Sequence, residues 1–127
     1  MSRMEMAKKE DILRTYFEAF SNKDVETLKT LFSVDVQLTD SHGHWDGIED
    51  VIEANKTIFS NCLRITAIID DLVVDDDSAC AVINIEIITQ GSDPTNDFRE
   101  NHTTLKVIDY FVFNQANEIC VISAYKQ

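Results

Sequence analysis

Residues 103–113 read Thr-Thr-Leu-Lys-Val-Ile-Asp-Tyr-Phe-Val-Phe, and the alternation in this run decides the fold class. Leu105, Val107, Asp109, Phe111 and Phe113 share one parity, so they project from one face of a strand. All but Asp109 are strongly apolar. Runs of β pattern lie on both sides: Arg64 to Val74, Ala79 to Thr89, and Glu118 to Lys126. Asp75-Asp76-Asp77 and Asn114 to Asn117 are short polar turns between them. Gly91 to Glu100, which holds the single Pro, is a longer loop. Consecutive strands joined by short turns predict an antiparallel sheet.

Upstream the period changes to that of a helix. Ile12, Leu13, Tyr16, Phe17 and Phe20 form one apolar stripe. Asp24 is placed to cap a second helix, with Val25, Leu28, Leu31 and Phe32 as its apolar face. Asp35 to Asp40 then alternates, with Val36, Leu38 and Asp40 on one side. The turn-rich Ser41 to His44 follows. Asp46 and Glu49 read as a capping pair for a third helix. Its stripe is Ile48, Val51, Ile52, Asn55, Ile58, Phe59 and Cys62. The order helix, helix, strand, helix, then strands predicts an α+β fold over residues 1–127 as one domain. A curved antiparallel sheet wrapped around the helices leaves a cavity between the layers, where small ligands bind.

Composition narrows the function classes. The 127 residues carry 11 basic and 23 acidic side chains, a formal charge of −12. That charge repels phosphate backbones and anionic membranes, so neither nucleic acid nor membrane is expected as a partner. Neither a secretory signal nor an apolar run of roughly 20 residues is present, which predicts a cytoplasmic location. Cys62, Cys80 and Cys120 are widely spaced and sit in apolar stretches, so they are expected to be reduced thiols packed in the interior. No phosphate-binding Gly-rich loop, nucleophile elbow or metalloprotease motif occurs. His42, His44 and His102 make only a weak metal pattern, and no metal or organic cofactor is expected.

Polar residues on apolar faces are the informative positions. Asp109 either accepts a proton and donates a hydrogen bond in a dry pocket, or turns outward on a bulge, or pairs with Arg64 or Lys106. Asp40 is either a base at the mouth of a cavity or the first residue of an Asx-turn. Tyr16 is either a core tyrosine or a hydroxyl donor into the cavity. Asn55 is either a pocket amide or the edge of its stripe. Trp45 anchors the hairpin or rims the pocket, and Trp45, Phe59 or Phe98 could fill it.

These residues resemble a known family. Tyr16-Phe-Glu-Ala-Phe-Ser-Asn-Lys-Asp24, Leu31-Phe-Ser-Val-Asp-Val36, Gly47 and Ile108-Asp-Tyr-Phe-Val-Phe-Asn114 resemble the ketosteroid isomerase and SnoaL-like branch of the nuclear transport factor 2-like superfamily. The resemblance spans about Ile12 to Tyr125 and implies a cone-shaped α+β barrel. It also implies that Tyr16, Asp40 and Asp109 match the isomerases' catalytic set, with Asp40 as base and Tyr16 and a neutral Asp109 as oxyanion donors. Lys23 stands where Gly is usual, Ser41 where Pro is, and Asn55 where a supporting tyrosine is. These departures bear on the steroid more than on the proton chemistry.

The leading expectation is therefore a cofactor-independent enzyme that shifts a proton next to the carbonyl of a small apolar compound. Asn55, Trp45, Phe59, Phe111 and Phe20 are expected to line the pocket. The alternatives are a ligand-binding or assembly module without catalysis, and a cyclase or dehydratase using a His–Asp pair. The strand Ala79 to Thr89 is apolar on both parities, so a homodimer through the outer sheet face is expected.

Overall fold

The computed structural model describes residues 2–91 and 99–127. Helix α1 (Arg3–Ser21) starts ahead of its apolar stripe because the Ser2 hydroxyl caps it, accepting the Glu5 N–H at 3.1 Å. Helix α2 (Val25–Leu31) is capped by Asp24, whose carboxylate accepts the Thr27 N–H at 3.1 Å and the Thr27 hydroxyl at 2.6 Å. Between the helices Lys23 takes φ 55°, a left-handed conformation that costs a side chain about 1–2 kcal/mol. Its Nζ donates to the Cys62 carbonyl at 2.7 Å, tying this turn to the exit of the third helix. That bond offsets the strain at a position where glycine would be relaxed but could make no such tie.

Strand β1 (Phe32–Asp40) begins three residues before the alternation that starts at Asp35. Phe32 is extended (φ −93°, ψ 145°) rather than helical, and pairs with Ile119 across the sheet. Its ring packs 6.1 Å from that of Tyr16, so tertiary packing overrides the helical stripe. Strand β2 (Gly43–Asp46) returns on β1 as a hairpin. Asp46 does not cap the next helix: from β2 it pairs with Gln37 of β1, and its carboxylate holds His44 Nε2 at 3.0 Å. Helix α3 (Ile48–Ser60) starts instead at Gly47, whose φ of 89° suits glycine and which provides no side-chain cap.

Four strands complete the sheet: β3 (Arg64–Val74), β4 (Ser78–Gln90), β5 (Glu100–Phe113) and β6 (Ile119–Lys126). The interior of the expected loop between β4 and β5, residues 92–98 with Phe98, lies outside the described residues. The spatial order is β2-β1-β6-β5-β4-β3, and the curved sheet does not close. β1 lies parallel to β6, so the sheet is mixed rather than wholly antiparallel. The hairpin of β1 is separated from the β3–β6 meander by α3. That crossover brings β1 alongside β6 with both running the same way.

One face of the sheet packs against the helices. Leu13, Phe17, Val51, Ile83, Phe111 and Ile122 are nearly inaccessible there, each stabilising the fold by about 1.5–3 kcal/mol through apolar burial. The opposite face is open, with Val73 and Tyr125 each 60% exposed. The cysteines do not pack inside as expected. Cys80 is exposed, and Cys62 and Cys120 are half-buried. Cys80 pairs with Val73 and Tyr110 on the outer parity, a face that the apolar run alone could not distinguish from the inner one. Among the described residues no helix is long and apolar enough to cross a membrane.

Candidate active site

Asp109 sits mid-strand in β5, between Ala81 of β4 and Ala124 of β6. The flanking rows on the same face are bulkier: Ile83 with Val107, and Phe111 with Ile122. The Ala124 methyl beside the carboxyl borders a hollow of about 240 Å3, walled among others by Phe20, Leu38, Val107 and Ile122. The ladder is regular through Asp109, so no bulge turns it outward. Arg64 and Lys106 are both exposed, whereas Asp109 is only 6% exposed. Burial pushes its carboxyl up to about 7.

Tyr16 reaches the same hollow from α1. Its ring makes edge contacts with Phe17 at 4.9 Å and Phe111 at 5.4 Å. Burial first, and the neighbouring Asp109 charge second, raise its phenol above the ordinary range, so it stays a donor. Neither the Tyr16 hydroxyl nor the Asp109 carboxyl has a hydrogen-bond partner among the described residues. No enclosed side-chain polar atom there lacks a partner, so these oxygens must face open space in the hollow.

Asp40 lies at the rim, at the end of β1. Its Oδ1 accepts the His42 N–H at 2.7 Å and the Gly43 N–H at 3.2 Å. The Asx-turn and the cavity position are thus both realised: one oxygen organises the hairpin, and the residue still lines the hollow. Asn55, 3% exposed, donates through Nδ2 to the Val51 carbonyl at 2.9 Å and also lines the hollow.

Other expected pocket residues separate. Phe20 is in the wall, and Trp45 lines a second chamber farther out. Phe59 and Phe111 do not line either chamber. Phe59 is spent on an edge contact with Phe20 at 5.2 Å, and Phe111 is fully buried beneath Tyr16 and Phe17. Parity and stripe position turn both rings inward, but a core ring and a wall ring share the same pattern. The histidines diverge. His44 bonds Thr39 Oγ1 at 2.7 Å and Asp46 on the outer side of the hairpin, His102 lies 3.5 Å from Glu100, and only His42 lines the hollow.

Walls that the sequence reading did not name include Ile85, Ile87 and Leu105, half-buried on the inner face, together with Lys126. Strand parity counted from Asp109 would have found them. The hollow thus joins the Tyr16 hydroxyl and the Asp109 carboxyl to largely apolar walls, with the Asp40 carboxylate, His42, Asn55 and Lys126 also lining it.

The model of the SnoaL-like domain family matches residues 13–120. No curated protein matches this sequence significantly. Solved structures with the same fold include a protein assigned as a SnoaL-like polyketide cyclase from Jannaschia (TM-score 0.82, 11% identity, covering 100% of this chain and 90% of that one). AclR from Streptomyces galilaeus, assigned as a hydroxylase, superposes with TM-score 0.78 at 10% identity, over 96% and 90% of the two chains. A Catenulispora acidiphila protein with a ketosteroid isomerase-like fold, solved with trimethylamine, gives TM-score 0.76 at 16% identity, over 90% and 83%. At these identities the likeness is one of fold.

Proposed function

The chain belongs to the SnoaL-like domain family, and on that footing we propose that it is an enzyme shifting a proton next to the carbonyl of a small, mostly apolar compound. The observation that carries this reading is Asp109: a nine-tenths buried carboxyl, neutral up to about pH 7, unpartnered among the described residues and sharing a hollow with the Tyr16 phenol. A buried polar group without a partner is costly unless a ligand satisfies it. The carbonyl oxygen of a bound ketone accepts from both donors. Asp40 removes a proton from the adjacent carbon. The C–H electron pair moves into the C=C bond of the enolate, and the former carbonyl pair comes to rest on the oxygen between Tyr16 and Asp109. Asp40 then returns the proton, to a more distant carbon where the substrate is a β,γ-unsaturated ketone.

The test is an ultraviolet assay of conjugation on such ketones. Turnover is expected, and Tyr16→Phe should lower it by roughly 10²-fold, the cost of one oxyanion donor. No turnover on any enolisable ketone would leave a binding module. One observation favours a second reading: His42 lines the hollow beside Asp40, as a cyclase or dehydratase with a His–Asp pair requires. In that case His42→Gln abolishes activity, whereas in the first it does little.

A second copy of the chain on the open sheet face belongs to the same proposal. Sedimentation should then give twice the 14.5 kDa chain mass. A monomer at high concentration removes the pairing without touching the chemistry.

A further inference from the structure

Asn55 joins Tyr16 and Asp109 as a buried polar group on the hollow. It lies mid-helix in α3, four residues after Val51, and is only 3% exposed. Its Nδ2 donates to the Val51 carbonyl at 2.9 Å. A carbonyl oxygen can only accept, so nitrogen must be the amide atom turned along the helix. Oδ1 is left over. It has no hydrogen-bond partner among the described residues, where no enclosed side-chain polar atom lacks one, so it meets open space in the hollow. An amide oxygen carries lone pairs and no proton. Tyr16 and a protonated Asp109 thus bring donors to this space, and Asn55 brings an acceptor. Volume bounds the occupant: a dry cavity of about 150 Å3 holds benzene. The 240 Å3 of the hollow takes one ring with its substituents.

We propose that Asn55 determines specificity by accepting a hydrogen bond from the substrate, so that the substrate of this site is a single-ring carbonyl compound that also carries a hydroxyl. The carbonyl half rests on the function proposed above; the hydroxyl half rests on Asn55 alone. The carbonyl oxygen accepts from Tyr16 and Asp109 while the hydroxyl donates to Asn55 Oδ1. A ligand that sets a methyl or methylene against Oδ1 strips its water and returns no hydrogen bond, which costs affinity. A pocket with such a polar atom rejects the analogue lacking the hydroxyl more strongly than a wholly apolar wall could reject a change of one methyl.

Three pairs of phenols test this by isothermal titration calorimetry on the full chain, below pH 7 where Asp109 keeps its proton. Catechol, resorcinol and hydroquinone are each compared with the cresol that has a methyl in place of the second hydroxyl. Every member offers Tyr16 and Asp109 one enol-like oxygen, and the three pairs sample the spacing from that oxygen to Asn55. In at least one pair the diol is expected to bind roughly tenfold more tightly than its cresol. Asn55→Leu, close to isosteric but without the acceptor, should bring that ratio to one or below while the cresol still binds. Asn55→Ala replaces it if thermal unfolding shows the leucine variant to be misfolded. Cresols that match or outbind their diols in all three pairs overturn the inference, because water then meets Oδ1 as well as a ligand does. A diol preference that survives the substitution also overturns it, since another acceptor on the hollow, such as Asp40, then holds the hydroxyl. Equal weakening of both members leaves the ratio unchanged and reduces Asn55 to a structural role. In each of these cases the phenols still bind, and only the hydroxyl preference falls. If no phenol binds, the proposed function falls with it.

Discussion

Asp40→Asn is expected to lower turnover of an enolisable ketone by roughly 10²–10⁴-fold, the range a positioned general base contributes. The change is well matched to the site. Oδ1 of Asp40 already accepts the His42 and Gly43 N–H groups, and an amide oxygen can accept both in its place. The hairpin therefore survives, and only the rim's capacity to take a proton is lost. Thermal unfolding should move little while kcat collapses, and parallel measurement of both checks the prediction. Turnover unchanged in a folded variant removes Asp40 as the base.

Asp109 carries the second large effect, on stability and activity together. Its carboxyl titrates near 3.8 when unfolded and near 7 in the folded chain, because burial penalises the charged form. Between those values the folded state binds more protons than the unfolded state. Stability contributed by this group therefore falls as pH rises from about 4 to about 7, by up to about 4 kcal/mol, and is flat above. Asp109→Asn removes the titration. Denaturant unfolding should find the variant more stable than the parent at pH 8, with little difference near pH 4.

The same proton governs catalysis. If neutral Asp109 donates to the enolate, kcat/KM falls as pH rises through about 7, and Asp109→Asn flattens that limb at a lower overall rate. Activity that instead rises through about 7 would make the buried carboxylate the base and overturn its role as donor. Tyr16 adds no such limb, because burial and the Asp109 charge hold its phenol above the ordinary range.

Much of this site is legible in one dimension. Parity along β5 places Asp109 among Val107 and Phe111 on the buried face, and helical spacing places Tyr16 on the stripe of α1. These are local periodicities, two residues for a strand and 3.6 for a helix, and they hold whatever the neighbours are. Asp40 shows the limit. Spacing offered a turn former or a cavity carboxylate as alternatives, and the structure makes it both.

Local periodicity along the chain gives most of the elements, the inner faces of β1 and β5 and the polar residues that violate them, because side-chain direction follows from backbone geometry; it leaves the two faces of β4 indistinguishable and reads β2 as a turn. Tertiary structure decided what those faces meet. The parallel seating of β1 on β6, the early extension at Phe32, the exposure of Cys80, and the burial of Phe59 and Phe111 behind the walls all depend on partners distant along the chain. The hollow belongs to this second group. It forms where Tyr16 of α1, Leu38 of β1, Asp109 of β5 and Ala124 of β6 meet, and only tertiary packing brings those elements together.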